Sequence, residues 1–144
     1  MTTNTTGNSE PKHLTFVAPT GEETENPAPE IVSAALLSAG GAYWEAGSGD
    51  AALRCKTGER VTGEVIIMLR EPYGVFVQFT DPKTSQEFVL SNSGSDDEEI
   101  VVQHAGDPWE LPRRYFVSRE MAYRAVTYFM IHGERASDML WERF

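Results

Sequence analysis

Residues 111–144, LPRRYFVSREMAYRAVTYFMIHGERASDMLWERF, decide the fold, because a start signal, an internal period and a stop signal agree there. Ser118 is placed to cap a helix: its hydroxyl accepts a hydrogen bond from a first-turn amide that has no partner along the helix. Glu120 sets negative charge beside the positive end of the helix dipole. Met121, Ala122, Ala125, Val126, Phe129 and Met130 recur at spacings of three and four, which gathers them on one face of a helix, the face to be buried. His132 falls in the last turn, and Gly133 follows where a left-handed residue ends a helix without a Cβ clash. The spacing predicts a helix over 118–132, preceded by a short aromatic and β-branched strand at 114–117 and followed by another strand at 138–141.

Upstream of this module the period changes to two. Residues 61–70 are rich in β formers, and over 73–80 Val75, Val77 and Phe79 alternate with Phe76 and Gln78. Asp81-Pro82-Lys83 makes a turn, and 87–90 and 100–103 return as short strands. These connections are too short for crossover helices, so the strands form an antiparallel meander. Residues 42–46 and 51–55 flank the turn-forming cluster Gly47-Ser48-Gly49-Asp50 and read as a hairpin in which Tyr43 and Trp44 face opposite ways. Residues 13–18 read as an edge strand and 20–29 as an acidic, proline-bearing loop. Pro29 then opens a first helix carrying Ile31, Val32, Ala34, Ala35 and Leu36 until Gly40-Gly41 stops it. Residues 91–99 and 104–110 read as polar loops. Residues 1–12 are too polar to repay their ordering entropy and are expected to be a disordered tail. The expected fold is α+β: one domain over 13–144 with a mainly antiparallel, twisted sheet and two helices packed on one face.

Composition narrows the function. The chain has 144 residues, 40% of them hydrophobic, enough to bury a core without staples. The single cysteine, Cys55, excludes an intramolecular disulfide and reads as a buried thiol in a reducing compartment. No apolar run approaches the roughly 20 residues that cross a bilayer, and the N-terminus has no basic region followed by an apolar stretch. A cytoplasmic protein without a membrane partner is expected. The formal charge is −10, and residues 29–112 hold fourteen acids against five bases, whereas 113–144 hold four acids against six arginines. An acidic middle repels a phosphate backbone, so direct nucleic-acid binding is not expected, and a basic protein partner is drawn in instead.

Residue spacing argues against a metal or catalytic site. Cys55 stands alone and His13, His104 and His132 are far apart, so no zinc-ligand pattern forms and no metal or cofactor is expected. Gly47-Ser48-Gly49-Asp50 lacks the lysine and hydroxyl residue of a phosphate-binding loop, and there is no Gly-x-Ser-x-Gly elbow. Asp96, Asp97, Glu98 and Glu99 are paired carboxylates with no apolar pocket to raise one of their pKa values. Acidic loops without a catalytic constellation fit a binder better than an enzyme. Trp109, in Asp107-Pro108-Trp109-Glu110, either presents a hot-spot ring to a basic cleft or packs over the sheet edge. The candidate interface residues are therefore Asp96, Asp97, Glu98, Glu99, Asp107, Trp109 and Glu110. The enzymatic alternative would assemble a site from His104, Asp107 and Glu110, and a second alternative is an adaptor or chaperone that uses a sheet edge.

One resemblance adds to this reading. Val117-Ser118-Arg119-Glu120, Ala125 and Phe129 inside the helix, Gly133-Glu134-Arg135 and the late Trp141-Glu142 resemble the C-terminal signature of a bacterial immunity-protein family. This is the Imm group associated with deaminase-fold toxins of polymorphic toxin systems, among them a DNA cytosine deaminase toxin. The match covers about the last 35 residues, with Ala136 standing where that family often has proline. The resemblance implies an immunity protein, non-catalytic, that binds a toxin domain and blocks its substrate site. It also implies that Val117, Ser118, Glu120, Phe129, Gly133 and Trp141 are structural residues of the motif.

Overall fold

The alternation over 61–90 becomes the middle of a seven-stranded antiparallel sheet in the computed structural model, which describes residues 12–92, 97–104 and 106–144. The strands are β1 (Lys12–Val17), β2 (Glu23–Glu25), β3 (Ala51–Thr57), β4 (Arg60–Arg70), β5 (Gly74–Asp81), β6 (Gln86–Leu90) and β9 (Trp141–Arg143), in the order β2-β1-β3-β4-β5-β6-β9. A separate two-stranded ribbon pairs β7 (Glu99–His104) with β8 (Asp107–Pro112). Three helices complete the described residues: α1 (Pro29–Leu37), α2 (Gly41–Trp44) and α3 (Arg119–His132), one more than expected. The α+β class and the antiparallel meander stand as the sequence indicated.

Side chains alternate across the sheet because successive Cβ atoms point to opposite faces. Leu53, Val65, Ile67, Leu69, Val75, Val77, Phe79 and Leu90 face one side, where they form a core with Val32, Leu36, Trp44, Ala125, Val126 and Phe129 of the helices. Met68, Phe76 and Val89 face the other side and form a smaller core with Ile100, Val102, Leu111, Tyr115 and Phe116. The helices cover one face, and the ribbon covers the other.

α3 forms as its signals dictate. Ser118 Oγ accepts from the Met121 amide at 3.1 Å, and Gly133 takes φ 74° while its amide donates to Phe129 O at 2.7 Å. Its start is pinned by a bridge in which Val75 and Val117 exchange both backbone hydrogen bonds at 2.9 Å. That approach requires glycine at position 74, since a Cβ there would run into the Val117 carbonyl. Arg119 caps the C-terminal end of α1, donating to Leu36 O at 3.0 Å and Ala39 O at 2.6 Å.

Several expectations change. Residues 42–46 are not a strand: α2 occupies them, because a helical turn sends Trp44 into the core while Tyr43 packs edge-on against it at 5.5 Å. Trp44 is 1% exposed, and its Nε1 donates to Ala35 O at 3.1 Å. The cluster from Gly47 to Asp50 is a turn, but it links α2 to β3 rather than closing a hairpin. β1 is interior, with β2 outside it, and Lys12 already belongs to it, opposite Thr57. The rest of the expected tail, 1–11, lies outside the described residues. The expected strand at 114–117 is a 3₁₀ turn at Arg113–Tyr115 followed by the single bridge, and the last strand starts at Trp141 rather than at 138.

Candidate binding surface

The expected loop at 104–110 is largely strand. Pro108 lies opposite Gln103 and Pro112 opposite Glu99, positions at which the ladder needs no amide donor. The ribbon therefore forms without loss. Period two then sorts its residues: Ile100, Val102, Trp109 and Leu111 turn toward the sheet, and Glu99, Val101, Gln103, Pro108 and Glu110 turn away from it.

This sorting separates the candidate interface residues. Glu99 and Glu110 are exposed on the outer face, flanking Val101, which is 54% exposed although apolar. Asp107 is exposed at the ribbon tip. Asp97 and Glu98 are exposed just before β7, and the Asp97 carboxylate accepts from Arg114 Nη1 at 2.6 Å. Asp96 lies outside the described residues. Trp109 faces inward and is half-buried, its ring 6.2 Å from Phe76 and 4.4 Å from His104. It backs the ribbon, leaving the outer face to the carboxylates and Val101.

The structure also supplies three fasteners that sequence reasoning did not find. His104 Nε2 meets Asp50 Oδ2 at 2.7 Å, fixing the ribbon tip to the turn before β3. The buried Arg70 donates through Nε and Nη2 to Gln103 O at 3.1 and 3.0 Å, and through Nη1 to Leu69 O at 2.8 Å. Burial pulls this guanidinium below the ordinary arginine range, and the charges of Glu45 and Asp50 pull it back. Arg114 forks onto Glu142 at 2.9 and 3.1 Å, so the two form a bidentate pair between the 3₁₀ turn and β9. Hydrogen bonding from Arg114 holds the Glu142 carboxyl below its ordinary value. Asp50 and His104 are 54 residues apart, and no local pattern marks such a pair.

Arg113, Arg114, Arg119 and Arg124 do not share one face, the first two lying in the 3₁₀ turn and the others on α3. Arg113 stacks over Tyr73 with its guanidinium carbon 5.6 Å from the ring centre, Arg114 and Arg119 are fastened as described, and Arg124 is 3.7 Å from Asp138. The enzymatic set does not converge either. His104 turns to Asp50, whereas Glu110 is on the opposite face of the ribbon. Among the described residues no three His, Cys, Asp or Glu side chains come together as a metal site, and no helix is long and apolar enough to cross a membrane.

Two hollows lie at opposite ends of β4. A cleft of 430 Å³ borders β7 and is lined by Glu45, Arg70, Glu71, Tyr73, Val101 and Gln103 among others. A wider groove of 880 Å³ runs past Arg60, Lys83, Arg135 and Trp141, with the buried Cys55 at its wall. The motif residues carried by the resemblance all have structural contacts here or lie in the first turn of α3. Val117 and Phe129 are 2% and 1% exposed, and Trp141 pairs with Leu90 and donates from Nε1 to Ala136 O at 3.0 Å. Glu120 sits in the first turn, exposed. Comparison of the chain with protein families and with curated proteins returned no match.

Proposed function

We propose that the protein is a bacterial immunity protein: a cytoplasmic, non-catalytic inhibitor that binds a toxin domain of the deaminase fold and denies substrate its site. The observation that carries this reading is the outer face of the β7–β8 ribbon. Glu99 and Glu110 flank the exposed Val101, Asp97, Glu98 and Asp107 border them, and the whole is backed by a packed apolar layer. A solvated loop offers a partner no fixed shape, whereas a ribbon held by Arg70, His104 and Arg114 is preorganised and loses little freedom on binding. A deaminase that takes single-stranded nucleic acid needs a cationic channel beside its active centre. An acidic ribbon seated over that channel excludes the substrate by occupying its place. The C-terminal resemblance supports the same reading from separate residues.

The test is co-expression with the toxin encoded beside this gene. The wild-type protein protects the host, and the pair co-purifies as an inactive complex. Reversing two charges, Glu99→Lys with Glu110→Lys, weakens binding more at low salt than at high salt, mainly through the association rate. Failure to protect against any neighbouring toxin would end the proposal, as would turnover of a substrate by the purified protein alone.

A further inference from the structure

The two edges of the ribbon are not alike. In an antiparallel ladder, residues alternate between those that exchange hydrogen bonds with the partner strand and those whose amide and carbonyl point away from it. Arg70 takes the Gln103 carbonyl from outside the ribbon, which places Gln103 in the second class, and with it Val101 and Glu99. On β8 the same class contains Pro108 and Pro112, which have no amide hydrogen, so that edge cannot be extended by a regular strand. On the β7 edge Arg70 holds the Gln103 carbonyl, while Glu99 and Val101 carry no proline. Among the described residues nothing bonds the outward amide or carbonyl of Val101. The two outer strands of the large sheet, β2 and β9, are three residues each, which leaves β7 as the longer open edge.

What lies beside that edge indicates an occupant. The 430 Å³ cleft opens along Val101 and Gln103, and the Arg70 guanidinium in it is turned to the Gln103 and Leu69 carbonyls. Glu45 and Glu71 line the same cleft, Glu45 acting on Arg70 through its charge without a direct ion pair and Glu71 with only a 3.7 Å approach from Arg119, and Glu99 stands at the start of the strand.

We propose that the free edge of β7, at Glu99 and Val101 and as far as the Gln103 amide, takes up an extended basic segment of the partner protein as a third strand of the ribbon. This deepens the reading of the ribbon as the docking surface and rests on it. The added strand bonds to the outward groups of Val101 and Glu99 and to the Gln103 amide. Alternate side chains of that strand enter the cleft and meet Glu45 and Glu71, so backbone pairing supplies affinity and the carboxylates select lysine or arginine.

The probe is a blocked heptapeptide of alternating lysine and valine, compared with its glutamate-for-lysine counterpart and with a form N-methylated on alternate amides. At saturation the lysine peptide slows exchange of the Val101 amide at least about tenfold, and N-methylation weakens its binding at least about tenfold, the loss of one or more hydrogen bonds. Val101→Pro places a proline where β8 already tolerates two, so the ladder survives. It weakens binding to the same degree, whereas Val101→Thr stays within about twofold. Unchanged Val101 exchange at millimolar lysine peptide overturns the proposal, and so does a glutamate peptide that binds as well. If Glu99→Lys weakens binding to the toxin while Val101→Pro and N-methylation have no effect, strand addition fails and the docking surface stands. If Glu99→Lys with Glu110→Lys and Val101→Pro all leave toxin affinity unchanged, both readings fall.

Discussion

The two faces of the large sheet are covered by different means. On one, α1, α2 and α3 bury Trp44, Leu53, Ile67 and Phe129, and their ends are closed by Ser118, Gly133 and Arg119. On the other, two short strands bury Met68, Phe76 and Val89, and they are fastened by side chains from elsewhere: Asp50, Arg70 and Arg114. A helix satisfies its own backbone, so its cover is finished once it packs. A two-stranded ribbon leaves two rows of backbone groups unpaired and is marginal without support. The helical face is therefore closed by its own packing, whereas the ribbon face keeps backbone groups open for the docking proposed above.

Four perturbations test that contrast. The largest effect is expected for Phe129→Ala, which empties a fully buried site packed edge-on against Phe79 at 6.0 Å. Urea unfolding should show a loss of about 3–5 kcal/mol. Trp109→Ala should cost about 2 kcal/mol, less because the ring is only half-buried. Hydrogen exchange should quicken at Ile100 and Val102 while α3 keeps its protection, and equal quickening in both would show that the faces are not separable. Ser118→Ala removes the cap of α3 and should cost about 1 kcal/mol, with unchanged binding to the partner. The smallest effect is that of acid on β9. The folded-state pKa of Glu142 lies below its ordinary value, so its contribution is complete above the ordinary glutamate range and disappears as pH falls through the lower value. The drop in the urea midpoint on acidification should therefore be smaller in Glu142→Gln than in wild type.

The same contrast explains what could be read from the sequence. α3 was legible to its caps because Ser118, the apolar spacing and Gly133 are all local signals. The central strands were legible because Val75, Val77 and Phe79 alternate with Phe76 and Gln78, and the structure places the two sets on opposite faces. α2 was missed because four residues are too few to show a period, and Tyr43-Trp44 suits either a strand or a helical turn. β8 was missed because Pro108 and Pro112 argue against a strand unless it is known which of its residues face outward. Charge density pointed to the ribbon region, but which members of the acidic set stand on its outer face depends on the β7–β8 register. The fasteners join residues far apart in the chain, and no window of sequence contains both ends of His104 with Asp50 or Arg114 with Glu142.

The three tryptophans are spread over these regions, one beneath α1, one inside the ribbon and one on the last strand. With Trp44 and Trp141 changed to phenylalanine, the remaining indole emits from beneath the proposed contact surface, 4.4 Å from the imidazole of His104. The fluorescence of that variant would follow the ribbon lifting, settling or being covered, without any attached dye.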